Sequence, residues 1–111
     1  MENKDFFEKV FDVVRKIPEG KVTTYGYIAQ SLGLKSSARM VGWALNSVAG
    51  DMSIPCHRVI NRNGELTGKR HFSTPNMMRE LLESEDIEFE DDRVNLKKHL
   101  WVPEIKININ D

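Results

Sequence analysis

The chain contains 111 residues, of which 40% are hydrophobic and 30% are charged, and its formal net charge is -1. This profile is typical of a single soluble domain with one modest core. No apolar run approaches ~20 residues, so a membrane-spanning helix is not expected, and the polar N-terminus does not resemble a secretory signal. The single cysteine cannot form an internal disulfide, which is typical of a reducing compartment. We therefore expect a cytoplasmic protein, and a monomer.

Charge is distributed unevenly along the sequence. Between residues 35 and 71 bases predominate, namely Lys35, Arg39, Arg58, Arg62, Lys69 and Arg70. Between residues 80 and 92 every charged residue is acidic: Glu80, Glu83, Glu85, Asp86, Glu88, Glu90, Asp91 and Asp92. Such asymmetry permits a basic binding face on a nearly neutral protein, although two solvated surfaces would give the same pattern.

The N-terminal segment has the pattern of an amphipathic helix. Apolar residues recur at helical spacing, and they are Phe7, Val10, Phe11, Val14 and Ile17. Asp5 and Glu8 are placed as a capping box at its start, and Pro18 and Gly20 end it. We therefore predict a helix over residues 5–17.

Two short helices with a glycine-containing turn follow, in the arrangement of a helix-turn-helix. Thr23 or Thr24 caps the first, over residues 25–32, and Ser36 caps the second, which runs to about residue 46. The second helix of such a unit enters a DNA groove with its N-terminal residues first. The motif is only moderately specific, because many helical hairpins share it.

The second of these helices carries the candidate DNA contacts. Arg39 lies in its first turn. Ala38 and Gly42 are small residues four apart, so one face of the helix permits close approach, either to DNA or to another helix of the protein. We expect Trp43 and Leu45 to point into the core, where most such side chains lie.

Beyond the middle of the chain, short β elements and another helix are expected. Val59-Ile60 and Glu65-Leu66 flank the tight-turn dipeptide Asn63-Gly64, which predicts a hairpin. Thr74-Pro75 then begins a helix, because proline is favoured in the first helical turn.

The C-terminal part closes the predicted domain. Residues 87–89 and 94–96 alternate around an acidic turn and predict a second hairpin, and Trp101 closes the core. We predict a mainly α single domain with small β elements, similar to a winged helix-turn-helix, over residues 1–103. Residues 104–111 are predicted to be a C-terminal tail, either an edge strand or a frayed end.

The segment Ile54-Pro55-Cys56-His57-Arg58-Val59 holds the only cysteine. Pro55 restrains its own backbone, so the thiol lies on a defined bend. A thiolate is the reactive form of cysteine, and a nearby base or cation such as His57 or Arg58 favours it. A lone cysteine is otherwise a small core residue, and this alternative stays open. A zinc site is not expected, because the candidate ligands have no recognised spacing: Cys56, His57, His71 and His99.

Three segments carry a resemblance to a known family: Gly20-Lys21-Val22-Thr23-Thr24-Tyr25, Ala38-Arg39-Met40-Val41-Gly42 and Ile54-Pro55-Cys56-His57-Arg58-Val59-Ile60. Their order and spacing are similar to those of the O6-alkylguanine-DNA alkyltransferases. The resemblance covers about residues 6–85 and corresponds to the family's catalytic, DNA-binding domain. It implies a DNA repair protein whose partner is double-stranded DNA containing alkylated guanine, with no metal and no organic cofactor.

The resemblance also implies catalytic roles. Cys56 would attack the alkyl carbon on guanine O6 and keep the alkyl group, so that the protein acts once. His57 would take the thiol proton through a bridging water, and Glu85 would orient that histidine. Tyr25 would help to rotate the target nucleotide and would stabilise charge on the leaving guanine. Arg58 would be a structural ion-pair partner.

DNA contacts and a substrate pocket are implied in the same way. Arg39 would enter the base stack and fill the space left by the flipped nucleotide. Further DNA contacts are expected from Tyr25, Ser36, Ala38, Gly42, Lys69 and Arg70. The substrate pocket would be lined by Pro55, Cys56, Val59 and Arg70, with the main chain contributing near the cysteine.

The chain also resembles the alkyltransferase-like proteins, through the loop at residues 68–73 and the segment 100–103. Those proteins bind alkylated guanine without repairing it and pass the lesion to nucleotide excision repair; they typically carry tryptophan at the position of Cys56. The sequence therefore leaves three possibilities open. They are an alkyltransferase that consumes itself, a lesion-recognition module that recruits repair proteins, and a plain helix-turn-helix protein with a structural thiol.

Overall fold

Helices form most of the regular structure in the computed structural model. The structure describes residues 2–33, 37–48 and 50–104, and it describes the side chains of all of these except residues 2–4 and 70. The α-helices are α1 (Glu2–Arg15), α2 (Tyr25–Ser31), α3 (Ala38–Asn46), α4 (Met77–Ser84) and α5 (Leu96–His99). The strands are β1 (Thr23–Thr24), β2 (Val59–Ile60), β3 (Phe89–Glu90) and β4 (Arg93–Val94), and single 3-10 turns lie at Cys56–Arg58 and Lys69–His71. The predicted fold class, mainly α with small β elements, is confirmed.

The first helix begins earlier than the sequence pattern indicated. α1 starts at Glu2, so the prediction that Asp5 and Glu8 form a capping box at its start is wrong. The segment before Asp5 contains neither proline nor glycine, and nothing in it stops a helix from extending toward the N-terminus. The predicted apolar face is correct, since Val10, Val14 and Ile17 are all buried.

The helix-turn-helix is built as predicted, apart from one cap. Thr24 caps α2 by accepting a hydrogen bond from the Tyr27 backbone N–H at 3.1 Å. The turn after α2 uses Gly33 at a φ of 64°, where glycine is favoured. Ser37 caps α3, with its hydroxyl 3.3 Å from the Met40 backbone nitrogen. The prediction that Ser36 is this cap is wrong, and Ser36 itself lies outside the described residues.

Trp43 is not in the core. Val41, Ala44 and Leu45 are the buried residues of α3, whereas Trp43 is 55% exposed. With about 100° of rotation per residue, position 43 lies on the opposite side of the helix from that buried face. The expectation was therefore wrong for Trp43 and correct for Leu45, because helical phase outweighs hydrophobicity at a single position.

The small residues of α3 face outward. A Cβ built on Gly42 would meet no described atom within 4 Å, and Ala38 is exposed. Within the part of the chain that the structure describes, these positions do not form a packing notch for another helix. The remaining alternative is that these small residues let DNA approach the backbone of α3 closely.

A parallel strand pair connects the cysteine segment to the helix-turn-helix. Thr23 pairs with Val59 and Thr24 pairs with Ile60. The predicted hairpin between residues 59 and 66 is therefore wrong, although the turn within it exists. Glu65 instead forms an isolated bridge with Arg93, and the Asn61 side-chain oxygen accepts two backbone hydrogen bonds within the turn, a local arrangement that competes with a strand ladder.

The C-terminal elements include a correct hairpin and a missed helix. β3 and β4 pair antiparallel, with Phe89 opposite Val94, as predicted. α4 begins at Met77, two residues after the predicted proline start. The short helix α5 was missed; it is capped by the Asn95 side chain, which accepts from the Lys98 N–H at 3.3 Å.

Two apolar clusters hold these elements together. The helical core joins α1, α2 and α3 to the cysteine segment through Val10, Val14, Ile28, Val41, Ile54 and Val59, among others. The second core contains Val22, Ile60, Met78, Leu82, Ile87 and Val94. Trp101 packs against the helical core, as expected, and residues 105–111 of the predicted tail lie outside the described part of the chain.

Gly64→Ala should destabilise the fold because two costs coincide there. The residue has a φ of +84°, and an added Cβ would lie 2.8 Å from the Val94 backbone oxygen. Gly50→Ala is the matched control, since Gly50 has a φ of +94° with no described atom within 4 Å of the new Cβ. We expect a loss of about 1–2 kcal/mol for the control and a larger loss for Gly64→Ala, measured by urea unfolding. Equal losses would contradict the steric argument.

Candidate active site

The thiol lies at a tight turn beside a narrow cleft of about 30 Å³. Pro55 has φ -75° and ψ 66°, and the next residue, Cys56, donates its backbone N–H to the Ile54 carbonyl at 2.7 Å. The cleft is lined by Tyr25 from α2, by Leu45 and Val48 at the end of α3, by the segment 50–57 in part, and by Gly68, His71 and Phe72. Cys56 is half-buried among these side chains, so the thiol is accessible to a group that enters the cleft.

The environment of Cys56 favours the protonated thiol. Burial, together with the negative charge of Asp51, raises the pKa of Cys56 to about 11. The Asp51 carboxylate is oriented by Ser53, which donates its backbone N–H at 2.9 Å and its hydroxyl at 2.7 Å. At neutral pH the sulfur therefore needs a base before it can act as a nucleophile.

His57 is held rigidly by a buried carboxylate. Its Nε2 lies 2.7 Å from Glu85 Oε2, and both side chains are only 10% exposed. Glu85 also accepts from Arg58 Nε and Nη2, each at 2.9 Å, and from the Gly20 backbone N–H at 3.2 Å. Arg58 was expected to be a structural ion-pair partner, and the structure shows that its partner is Glu85.

Hydrogen bonding keeps Glu85 ionised despite its burial. Burial raises the pKa of this carboxyl, but hydrogen bonds from Arg58, His57 and Gly20 outweigh that effect and lower the pKa overall. An ionised carboxylate only accepts hydrogen bonds, so His57 Nε2 carries the proton and Nδ1 is the basic nitrogen. Cys56 and His57, both within the described range, share no direct hydrogen bond, so proton transfer between them would need an intervening group.

Tyr25 occupies the other side of the cleft. It is the first residue of α2, and a Cβ on Gly68 would lie 3.1 Å from its hydroxyl oxygen. Burial raises the pKa of Tyr25, and the Cys56 side chain adds to this while a hydrogen bond with Thr67 opposes it. The phenol is therefore a proton donor at neutral pH, facing the same space as the thiol.

Other predicted pocket residues do not present their side chains to the cleft. Val59 is fully buried in the helical core, and Pro55 is not among the lining residues. The Arg70 side chain lies outside the described part. The cleft also contains Asp51 and His71. His71 lies in the loop at residues 68–73 that the sequence singled out, whereas no motif or spacing indicated Asp51.

Three of the predicted DNA contacts are exposed in the structure: Arg39 and Ala38 on α3, and Lys69 in the 3-10 turn beside the cleft. Gly42 and Tyr25 are half-buried, and Ser36 and the side chain of Arg70 lie outside the described part. The acidic run after residue 80 is mostly exposed, whereas Glu85 points inward. Within the described chain, the structure holds no group of at least three Cys, His, Asp or Glu side chains suited to a metal ion, and its helices fall short of what a membrane span requires.

Comparison with known proteins identifies the family. The family model for the 6-O-methylguanine DNA methyltransferase DNA-binding domain matches residues 5–87. Alkyltransferase-like protein 1 of Schizosaccharomyces pombe is 35% identical over 93% of this chain and 100% of its own length. A methylated-DNA–protein-cysteine methyltransferase of Candida glabrata is 43% identical over 71% of this chain and 37% of its own length.

Solved structures with a similar fold include an alkyltransferase-like protein of S. pombe. The structure of S. pombe Atl1 in complex with damaged DNA containing O6-carboxymethylguanine matches with a TM-score of 0.77 and 38% identity, covering 90% of this chain and 97% of that one. The shared family thus includes both a cysteine methyltransferase and an alkyltransferase-like protein. On the sequence match and the fold together, this chain belongs to the 6-O-methylguanine DNA methyltransferase family.

Proposed function

We propose that this protein binds duplex DNA, rotates an O6-alkylguanine into the cleft and transfers the alkyl group irreversibly to Cys56. The observation that carries the proposal is the placement of a cysteine thiol in a cleft directly beside a histidine locked onto a buried carboxylate. In the transfer, Sγ forms a bond to the alkyl carbon while the bond from that carbon to guanine O6 breaks. The thiol proton leaves sulfur and a proton is returned to the guanine, so the products are a thioether and unmodified guanine.

His57 and Glu85 supply the proton transfer in this mechanism. Because the thiol is protonated at neutral pH, His57 Nδ1 accepts its proton through a water molecule. The resulting positive imidazole is stabilised by the Glu85 carboxylate at its other nitrogen. Arg58 keeps that carboxylate in place.

Tyr25 and the outer surface of α3 complete the mechanism. Tyr25 remains protonated and so donates a hydrogen bond as negative charge develops on the leaving guanine. Arg39 enters the base stack and compensates for the extruded nucleotide. Ala38 and Gly42 allow the helix backbone to approach the groove closely, and Lys69 contacts the phosphate backbone.

A second candidate function is lesion recognition without repair. Two observations favour it: the match to Alkyltransferase-like protein 1 spans nearly the whole chain, and the pKa of Cys56 is about 11. Under this alternative the same cleft binds the flipped base, Cys56 stays unmodified, and nucleotide excision repair proteins are recruited to the complex.

Intact-protein mass distinguishes these functions. After incubation with a duplex containing one O6-methylguanine, we expect the protein to gain one methyl group that maps to Cys56. Cys56→Ala is the control, and it should gain no mass while still binding the duplex, because the proposed DNA contacts on α3 and at Tyr25 and Lys69 do not involve the thiol. Tight binding by the wild-type protein without a mass change would instead establish the recognition function.

Asp51→Asn should make the thiol more reactive. Removing this negative charge makes the thiolate less unfavourable, so the pKa of Cys56 should fall below about 11. Because Asp51 is exposed and its field is screened, we expect alkylation by iodoacetamide at pH 8 to accelerate by about twofold to fivefold. Glu90→Gln, a charge removal on the distant β3, is the matched control and should leave the rate unchanged; an unchanged rate in both variants would refute the effect of Asp51.

Glu85→Gln should affect both methyl transfer and pH stability. Without the carboxylate, the transfer rate should fall at least about tenfold, and about 1–3 kcal/mol of stability should be lost at pH 7. Since the pKa of Glu85 is lowered in the fold, its stabilisation is present above about pH 4.3 and declines as the pH falls. The variant and the wild type should therefore converge in acid, as measured by thermal unfolding across pH.

Glu83→Gln is the control for Glu85→Gln, because it removes an exposed charge from the same acidic helix. It should change neither the transfer rate nor the pH profile. If both variants behaved alike, Glu85 would be only part of the acidic surface.

A further inference from the structure

α3 presents an outer face with two unlike flanks. Arg39 lies near the centre of this face, directly opposite the buried residues of the helix. With about 100° per residue, the small residues Ala38 and Gly42 lie on the flank next to Leu45, which lines the cleft. Trp43 lies on the other flank, away from the cleft. DNA that delivers a base to the cleft would therefore meet the small residues on one side and the indole on the other.

The indole of Trp43 is already in contact with the arginine. The Arg39 guanidinium carbon lies 5.6 Å from the centroid of the Trp43 ring, within the range of a cation–π interaction. The two residues are one helical turn apart, so the stacking follows from the helix geometry. An arginine side chain has many rotamers, and stacking on a flat ring restricts it to those that project from the outer face.

The exposure of Trp43 has no explanation within the described fold. It is 55% exposed, although tryptophan carries a large apolar area. Among the described residues, the other large exposed apolar side chains are Met52 at the cleft and Val102 near the C-terminus, so within that part of the chain Trp43 does not belong to a broad apolar patch. A protein-binding surface of ordinary size would need many more such neighbours.

Charge on this face favours a polyanion. α3 contains no acidic residue, and its sequence is Ala-Arg-Met-Val-Gly-Trp-Ala-Leu-Asn. The densest run of acids lies instead between residues 80 and 92, and further acids lie on α1 and at Asp51 in the cleft. An aromatic ring beside an arginine, on a face without carboxylates, suits sugar and phosphate groups on the wall of a DNA groove.

We propose that Trp43 is a positioning residue for Arg39 and a DNA contact in its own right. Its indole packs on the sugar–phosphate backbone at the groove wall away from the cleft, and it holds the Arg39 guanidinium in the direction of the groove. The cleft side of the helix receives the flipped nucleotide, while the Trp43 side contacts the part of the duplex whose bases remain stacked. This proposal rests on the proposed function, in that α3 is taken as the helix that meets DNA.

Affinity measurements on a variant set test the proposal. Dissociation constants are measured by fluorescence anisotropy for a labelled O6-methylguanine duplex and for the same duplex with guanine. Trp43→Ala should weaken binding to both about threefold to tenfold, whereas Trp43→Phe should keep most of the affinity because it keeps an aromatic ring. Val102→Ala removes a comparably exposed apolar side chain elsewhere and should leave both dissociation constants unchanged.

A double variant tests the coupling between the two side chains. If Trp43 acts through Arg39, the combined loss in Arg39→Ala/Trp43→Ala should be at least twofold smaller than the product of the single losses. Independent, multiplicative losses would overturn the positioning role. Unchanged or tighter binding by Trp43→Ala would overturn the proposal entirely, because it would mean that the indole is a bystander or withholds Arg39 from DNA.

Tryptophan fluorescence reports whether DNA contacts Trp43. If Trp43 had only a structural role, DNA binding would not change its emission. The chain has two tryptophans, and Trp101 packs against the helical core. DNA binding should change the emission of the wild-type protein but not of Trp43→Phe; a persistent change in that variant would contradict contact at Trp43. If the wild-type protein bound both duplexes equally, lesion recognition would be refuted but the DNA contact at Trp43 would not. If it bound neither duplex, both proposals would be refuted.

Discussion

The structure depends on a single buried carboxylate, that of Glu85. It accepts hydrogen bonds from His57, from two nitrogens of Arg58 and from the Gly20 backbone. Arg58 in turn donates to the Ile17 carbonyl at 2.9 Å. These contacts join the end of α4, the cysteine turn and the connection between α1 and β1. Burying a charge is costly unless it is fully compensated, so this arrangement exists only when all of these segments are in place.

The same arrangement creates an asymmetry within the cleft. His57 is fixed in one orientation by Glu85, whereas Cys56 lies where burial and Asp51 hold its pKa near 11. Orientation of the base is therefore complete before any substrate arrives, while ionisation of the nucleophile is not. The two candidate functions share the cleft and the helix proposed to meet DNA, and they differ in whether a bound lesion allows that thiol to lose its proton.

Near-neutral net charge conceals a division of the surface. Between residues 80 and 92 the acids are exposed, apart from Glu85, whose side chain is buried. The outer face of α3 carries Arg39 stacked on Trp43 and no carboxylate. The helix surface that carries Arg39 is therefore locally positive, which an average over the whole composition cannot reveal.

The sequence by itself determined the helical face of α1, a threonine cap on α2 and the β3–β4 hairpin, because periodicity, capping and turn chemistry depend on close neighbours along the chain; the structure selected Thr24 over Thr23 as that cap. The resemblance to the O6-alkylguanine-DNA alkyltransferases implied that Glu85 orients His57. The outward direction of Trp43, which hydrophobicity alone had predicted wrongly, follows from helical phase. Only the tertiary structure decided that β2 pairs with β1 instead of forming a hairpin, and that Arg58 and the Gly20 backbone meet at the Glu85 carboxylate. These partners are remote in sequence, so their approach is a property of the folded chain.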